Sequence, residues 1–284
     1  MKDLAIRSYA KINIGLNVVG RREDGYHDLD MLMVPVELHD SIIMSEIKNT
    51  DDNFVTIDDF SGVRIHHNIA SEALNLIQKK HSIKKKFRVF IHKVIPIQAG
   101  LGGGSSNAAF VLKGVNQLLN LKLSEDNLIA LAKELGSDVP FFISCKPVRC
   151  RGKGDEFEPV AIKNNYHVII VKPNPGCLTK EVFDLSDTMN LNTCNIDNVV
   201  KALKEGDDKL LAESIDNSLE DPAAGFVPEI KLIKQKLKKL GLGIVSMTGT
   251  GSAVFALSTN ATLVKDAARK LEDRYVVEVT KILK

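Results

Sequence analysis

The sequence predicts a mixed protein of the α+β or α/β class. Two patterns alternate along the chain: short runs rich in Val, Ile and Phe, which are typical of strands, and longer segments with helical spacing of apolar residues. The chain has 284 residues, and because domains usually hold about 100–200 residues, this length fits two domains or one large one. The amino-acid composition does not change sharply along the chain, but a domain boundary near residues 150–160 is favoured. We predict an N-terminal domain over 1–153 and a C-terminal domain over 154–284.

Strand patterns dominate the first part of the chain. Strands are predicted within 4–19, 31–38, 41–47, 54–58 and 86–96. The segment 69–81 changes to a helical period, and Asn68 is placed to cap its first turn. After a glycine-rich stretch, helices are predicted over 105–121 and from Ser124 to Leu135, and short strands and turns are expected beyond Asp138-Val139-Pro140.

Strands and helices also alternate in the second half. The predicted order is a strand at 166–173, helices near 179–186, 196–215 and 228–240, a strand or loop at 243–258, a helix at 262–273 and a strand at 275–283. The 228–240 helix carries many lysines beside Ile230, Ile233 and Leu237. A membrane-surface helix has such a pattern, but a core-packed helix with a solvated lysine face is the better interpretation.

Charge and composition argue against several classes of protein. The 38 Lys and Arg residues nearly cancel the 36 Asp and Glu residues, and the net charge of +2 creates no long-range attraction for nucleic acid or membranes. No apolar run reaches the ~18–20 residues that cross a bilayer, and charged residues interrupt any N-terminal signal-peptide core. The four cysteines form no Cys-x-x-Cys pair, which favours buried thiols and a cytoplasmic location.

The strongest functional signal is a glycine-rich stretch that leads into a helix. Four glycines stand within Gly100–Gly104, and two serines follow. Glycine permits close backbone approach or a positive φ, and the first amides of a helix are unpaired donors at the positive end of its dipole. The stretch therefore predicts a phosphate or nucleotide site. The alternative is a flexible surface loop, but Ile95, Ile97 and Leu101 give this stretch apolar flanks that linkers usually lack.

Common phosphate-binding motifs do not describe this stretch. The Walker pattern G-x-x-x-x-G-K-[ST] is absent, the dinucleotide pattern G-x-G-x-x-G fails at Ser105, and the protein-kinase motifs are not found. The residues alone therefore lead to a nucleotide or phosphate at a helix N-terminus and no further.

Three segments resemble the motifs of the GHMP kinases, the family of galactokinase, homoserine kinase, mevalonate kinase and phosphomevalonate kinase. They are Ala10–Asn13 (AKIN), Pro96–Ala109 (PIQAGLGGGSSNAA) and Thr248–Phe255 (TGTGSAVF). Gly20–Leu29 and Leu135–Phe142 narrow the resemblance to members that phosphorylate the 2-hydroxyl of a cytidine-diphosphate-linked methylerythritol in isoprenoid precursor biosynthesis. The resemblance implies an α+β, two-domain GHMP kinase fold. Its N-terminal domain is similar to ribosomal protein S5 domain 2, its C-terminal domain is ferredoxin-like, and a cleft lies between them.

The resemblance also implies that ATP and Mg²⁺ are used. The triphosphate is then expected to bind the residues of the second motif, which are Pro96, Ile97, Gln98, Ala99, Gly100, Leu101, Gly102, Gly103, Gly104, Ser105 and Ser106. Ser106 is the candidate metal ligand, since the sequence shows no obvious carboxylate dedicated to magnesium.

Two residues are implied to be catalytic, Lys11 and Asp138. In the family the matching Asp is the proposed general base for the substrate hydroxyl, and the matching Lys pairs with it and offsets charge on the transferred phosphoryl group. Without the family, an Asp before a proline-containing turn is more often a helix cap, and a Lys in an apolar strand could extend to water.

The acceptor is expected to bind residues from three segments. The resemblance implies that Tyr26 stacks on the base, that His27 and Asn13 hydrogen-bond the nucleotide or the erythritol, and that further residues complete the pocket. The full set is Asn13, Tyr26, His27, Thr179, Phe183, Gly249, Thr250, Gly251 and Ser252.

Two other functions compete with this one. A GHMP kinase for a small alcohol such as homoserine or mevalonate shares the motifs, but such alcohols offer no base for Tyr26 to stack on. An S5-like RNA-binding or nucleotide-sensing module is disfavoured by the near-zero net charge and by the pairing of Lys11 with Asp138. We therefore expect a small-molecule partner and neither nucleic acid nor a membrane.

Overall fold

The computed structural model describes residues 3–58, 68–154 and 156–284. Contacts within the chain divide it into two compact units, and neither is continuous in sequence. The first unit takes the described residues of Met1–Ala10, His39–Ile95 and Gly102–Cys145, and the second takes those of Lys11–Leu38, Pro96–Leu101 and Lys146–Lys284. The domain boundary at 153/154 and the cleft both remain predictions.

Two long strands contribute residues to both units. They are β1 (Asp3–Arg21) and β2 (His27–Ile47), and β1 pairs with β2. The sequence predicts two separate strands where β2 is continuous. Asp40 lies between the two predicted runs; it is fully buried, and its carboxylate accepts the backbone amides of Val94 and Ile95.

Among its described residues, the first unit has two further strands and four helices. They are β3 (Phe54–Asp58), α1 (Ile69–Lys80), β4 (Lys86–His92), α2 (Gly103–Leu119), α3 (Glu125–Lys133) and α4 (Val139–Ser144). β4 runs antiparallel to the 41–47 part of β2 and parallel to β3. The helix α2 packs against α1, α3 and α4.

Two helix caps in this unit agree with the predictions from the sequence. Asn68 accepts hydrogen bonds from the first turn of α1, and Ser124 forms a capping box with Asn127 at the start of α3, as predicted. Helix α4 was not predicted: Pro140 lies in its first turn, where proline is tolerated, and the helix is too short to show a clear period.

The second unit contains a four-stranded antiparallel sheet and most of the helices. Its further elements are β5 (Val148–Gly152), β6 (Glu156–Pro159), β7 (His167–Lys172), α5 (Thr179–Ser186), α6 (Ile196–Glu205), α7 (Asp208–Ser214), α8 (Glu220–Phe226), α9 (Glu229–Lys239), β8 (Ile244–Met247), β9 (Val254–Ser258), α10 (Ala261–Arg269) and β10 (Val276–Lys281).

The sheet order of the second unit is β10-β7-β9-β8, with every neighbouring pair antiparallel. If these four strands are numbered 1 to 4 along the chain, their order in the sheet is 4-1-3-2. This order is ferredoxin-like, as predicted. The 29–33 part of β2 pairs with β5, which pairs in turn with β6. The third motif, Thr248–Phe255, forms the turn between β8 and β9 and the first two residues of β9.

The helices of the second unit correct two expectations. The predicted helix at 196–215 is two helices, because Gly206 ends α6 at a φ of 72° and Asp207 then caps α7. The short helix α8 was not predicted. Helix α9 buries Ile230, Ile233 and Leu237, so the core-packed interpretation of the lysine-rich helix is confirmed.

Candidate active site

Three sequence motifs meet in the second unit. The backbone amide of Lys11 donates to the carbonyl oxygen of Leu101 over 3.0 Å, and Thr248 Oγ1 donates to the carbonyl oxygen of Gly100 over 3.2 Å. The backbone amide of Asn13 donates to the same Thr248 oxygen over 3.1 Å. The first motif, the beginning of the glycine stretch and the 248–253 turn thus form one hydrogen-bonded cluster.

Glycine is required where these segments come closest. Gly100 has a φ of +73°, and a Cβ there would overlap the carbonyl oxygen of Thr248. Gly249 has a φ of +56°, and a Cβ there would lie 3.0 Å from the carbonyl oxygen of Gly100. Both positions combine a left-handed backbone with a neighbouring chain, which explains why the two motifs are rich in glycine.

Lys11 lies inside this cluster. Its residue is only 4% exposed, and its Nζ donates to Asn13 Oδ1 over 2.6 Å. A Cβ built on Gly249 would be 3.3 Å from Nζ, so the ammonium is next to the third motif. A buried ammonium beside closely approaching backbone is suited to stabilise an anion.

The end of the glycine stretch starts helix α2 in the first unit. Gly102 is the N-cap, with a φ of 68° and no side-chain cap, and the first turn holds no acidic residue. Gly104 is exposed and Ser105 is half-buried, so the start of the helix offers backbone donors without a covering side chain. This geometry suits a phosphate group.

The two serines of the motif differ in accessibility. Ser106 has no exposed surface, and its Oγ accepts a hydrogen bond from Ser8 Oγ over 3.1 Å. Ser105 retains exposed surface. Both hydroxyls are oxygen donors of the kind Mg²⁺ takes together with phosphate and water. Within residues 3–58, 68–154 and 156–284, no group of three or more His, Cys, Asp or Glu side chains is arranged to hold a metal.

Asp138 lies in the first unit, immediately before α4. It occupies the N-cap position but its side chain makes no cap hydrogen bond. The simple capping role considered from the sequence is therefore not its role here. Because α4 packs against α2, Asp138 begins a helix that is fixed against the glycine-rich helix.

His27 contacts another of the predicted acceptor residues of the second unit. Its ring stacks on Phe183 with centroids 4.7 Å apart and 20° between the planes. Its Nε2 lies 2.7 Å from Asp187 Oδ1, and because a carboxylate only accepts, Nε2 carries the hydrogen. Thr179 Oγ1 lies 3.2 Å from Thr250 Oγ1, which joins α5 to the third motif.

Tyr26 is exposed beside this group, with 58% of its surface accessible. The ammonium of Lys153 lies 5.1 Å from the centre of its ring and also pairs with Asp24. The hydrogen bond from Lys153 lowers the pKa of Asp24 below its ordinary value. An exposed aromatic face next to a cation is suited to a planar base that carries phosphate.

Sequence reasoning missed several residues that hold these groups in place. Asn217 donates through Nδ2 to the carbonyl oxygens of Met247 and Gly249, both over 2.9 Å, and so fixes the third motif. Asp187 holds His27, and Asp40 holds the chain around the glycine stretch. None of them stands in a recognisable motif, and no local pattern could have identified them.

Among the residues that the structure describes, every helix is too short or too polar to cross a bilayer. The four cysteines are free thiols, and Cys150, Cys177 and Cys194 are buried.

Comparison with known proteins gives consistent results. The family profile for the GHMP kinases N terminal domain matches residues 68–146, and the profile for the GHMP kinases C terminal region matches 199–277. The 4-diphosphocytidyl-2-C-methyl-D-erythritol kinase of Bacillus cereus is 36% identical over 259 residues, which cover 89% of this chain and 88% of that protein. The enzyme of the same name from Bacillus mycoides is 35% identical with the same coverage.

Solved structures agree with the sequence relatives. The crystal structure of a 4-(cytidine 5'-diphospho)-2C-methyl-D-erythritol kinase has a TM-score of 0.83 and 30% identity, covering 99% of this chain and 100% of that one. A homoserine kinase from Cytophaga hutchinsonii has a TM-score of 0.77 at 17% identity, covering 100% of this chain and 95% of that one, which shows a shared fold. The chain therefore belongs to the GHMP kinase family, in the branch that contains the 4-diphosphocytidyl-2-C-methyl-D-erythritol kinases.

Proposed function

We propose that this chain transfers the γ-phosphoryl group of ATP to the 2-hydroxyl of 4-diphosphocytidyl-2-C-methyl-D-erythritol, a step in isoprenoid precursor biosynthesis. The observation that carries the proposal is the cluster joining Lys11 and Asn13 to the glycine stretch and to the 248–253 turn. It places a buried ammonium beside backbone suited to phosphate. The names of the bacterial relatives support the acceptor.

In the proposed reaction, Asp138 accepts the proton of the 2-hydroxyl while that oxygen attacks the γ-phosphorus. The bond from the γ-phosphorus to the oxygen bridging the β-phosphorus breaks, and ADP leaves with its electron pair. Lys11 offsets negative charge on the transferred phosphoryl group. Because the reaction needs the hydroxyl and the γ-phosphorus aligned, positioning supplies much of the rate.

The triphosphate is proposed to lie along Pro96–Ser106. Gly102 and the glycines that open α2 offer amides without a Cβ in the way, and Ser105 adds an accessible hydroxyl. Mg²⁺ bound to the nucleotide would supply charge neutralisation at the β- and γ-phosphates, with the accessible hydroxyl of Ser105 as the oxygen ligand from the protein. Ser106, the candidate from the sequence, is fully buried.

The cytidine end is proposed to lie against Tyr26 and His27. The exposed ring of Tyr26 stacks on the base, and Phe183 supports the ring of His27 from behind. Thr179, which is joined to Thr250, completes the pocket. Asn13 contacts the erythritol side, and residues 249–252 contact the phosphate side. The proposal includes a cytoplasmic location and a small-molecule acceptor, with neither nucleic acid nor a membrane as partner.

An acceptor competition tests this function. The purified chain is given MgATP with 4-diphosphocytidyl-2-C-methyl-D-erythritol, mevalonate or homoserine, and ADP release is measured for each. The proposal expects turnover with the cytidine-linked acceptor alone. Turnover with mevalonate or homoserine would assign the chain to the small-alcohol kinases. ATP binding without transfer to any of the three would favour a nucleotide-sensing module.

A further inference from the structure

Asp40 is a fully buried carboxylate outside every motif described above. It is 0% exposed and accepts four hydrogen bonds. Its Oδ1 accepts from the backbone amides of Val94 and Ile95, each over 2.8 Å. Its Oδ2 accepts from Lys93 Nζ over 2.6 Å and from Asn107 Nδ2 over 2.8 Å. Such a set satisfies a buried charge, which would otherwise be costly.

The partners of Asp40 stand on both sides of the glycine stretch in the chain. Val94 and Ile95 directly precede Pro96, and Asn107 directly follows Ser106. One carboxylate therefore ties the segment that precedes the glycine stretch to the N-terminal part of α2, which follows it.

The network continues from Asp40 to the candidate phosphate residues. Both amide hydrogens of Asn107 are used, one by Asp40 and one by Ser8 Oγ over 2.7 Å. Because Ser8 accepts from Asn107, its own hydrogen is donated to Ser106 Oγ over 3.1 Å. Lys93 lies close to the same turn, since a Cβ on Gly103 would be 2.7 Å from its Nζ.

We propose that Asp40 is a positioning residue for ATP binding. It does not touch the nucleotide, but it holds the two ends of the glycine stretch and, through Asn107 and Ser8, sets the orientation of Ser106. Backbone donors must be held within a fraction of an ångström to bind phosphate well, so loosening both ends at once should weaken the site. This inference rests on the proposed function only in that the glycine stretch binds ATP.

The test compares Asp40→Asn with Ile42→Ala. Both residues are fully buried and lie on the same strand, but Ile42 has no polar side chain and belongs only to the core. The affinities of each folded variant for MgATP and for CDP are measured by titration calorimetry, with thermal unfolding measured alongside. Asp40→Asn is expected to weaken MgATP binding about tenfold or more and to leave CDP binding within about twofold. Ile42→Ala is expected to lower the unfolding temperature and to leave both affinities unchanged.

Several results would overturn the inference. An unchanged MgATP affinity in Asp40→Asn does so, and so does an equal loss in Ile42→Ala, because the effect would then follow stability alone. If Asp40→Asn does not fold, Ser8→Ala decides: a loss of MgATP affinity of about threefold or more supports the network, and no loss refutes it. A wild type that binds MgATP but does not phosphorylate the cytidine-linked acceptor defeats the proposed function and leaves this inference intact.

Discussion

The ammonium of Lys11 donates a 2.6 Å hydrogen bond to Asn13 Oδ1, two residues along the same strand. Both residues are buried, and Asn13 also presents Nδ2 to the sulfur of Met31 over 3.2 Å. The amide is therefore held from both ends and fixes the direction of the lysine. Through this hydrogen bond, Asn13 fixes the ammonium that is proposed to offset charge on the transferred phosphoryl group.

Lys11→Met removes the ammonium and keeps a long apolar side chain in the buried position. We expect kcat to fall by about 10²–10³-fold, the range seen when one charge-stabilising donor is lost. Steady-state ADP release measures it. Lys236→Met is a matched control, because Lys236 is half-buried in α9 and its Nζ donates to the Tyr275 hydroxyl over 3.3 Å, away from the motifs. Equal losses in both variants would contradict the assignment.

Asp138→Asn removes the proposed base and preserves shape. Turnover is expected to fall by about 10²–10⁴-fold. The control is Asp207→Ala, which loses a true N-cap bond to Leu210 and should cost about 1 kcal/mol of stability with no loss of turnover. Full activity of Asp138→Asn in the same assay would remove the general-base role.

Gly100→Ala places a side chain against the carbonyl oxygen of Thr248 and forces a residue with φ of +73° into a strained region. We expect a loss of about 1–3 kcal/mol in the free energy of unfolding, together with weaker ATP binding. Gly20→Ala is the matched control, since nothing lies within 4 Å of a Cβ there. Urea unfolding and ATP titration distinguish the two, and similar behaviour of both variants would show that the close approach at Gly100 is unimportant.

Tyr26→Ala tests the base-stacking role. Loss of one aromatic platform should weaken CDP binding about tenfold, because stacking on a base contributes ~1–3 kcal/mol. Phe54→Ala removes another exposed aromatic side chain, 48% accessible, from the first unit. It should leave CDP affinity unchanged. CDP binding that survives Tyr26→Ala at full strength would count against a cytidine site at this turn.

Three thiols, of which Cys145 is half-buried and Cys177 and Cys194 are buried, make the free energy of unfolding depend on pH in the alkaline range. Burial raises the pKa of Cys145, Cys177 and Cys194 from 9.0 to about 11. The unfolded chain then releases these protons at a lower pH than the folded one. The stabilisation of the folded state by its protonated thiols is therefore fully present below pH 9, and it is lost as the pH rises through 11. Urea unfolding from pH 8 to 11 should show this decline, and the decline should be smaller in Cys177→Ala and Cys194→Ala.

Local rules predicted much of the fold and the motif residues of the site. Asn68 and Ser124 cap their helices as expected, since capping depends on a few neighbouring residues. The contacts of Asp40, Asp187 and Asn217 could not be predicted, because each partner lies far away in the sequence. Helix α4 was missed for a related reason: packing against α2 and α3, rather than its own period, stabilises so short a segment.

A crystal structure with a non-hydrolysable ATP analogue and 4-diphosphocytidyl-2-C-methyl-D-erythritol tests the central claim most directly. The account predicts the triphosphate along Pro96–Ser106, with the carboxylate of Asp138 and the ammonium of Lys11 both within about 3.2 Å of the 2-hydroxyl. A triphosphate bound elsewhere, or a 2-hydroxyl held by neither side chain, would contradict it.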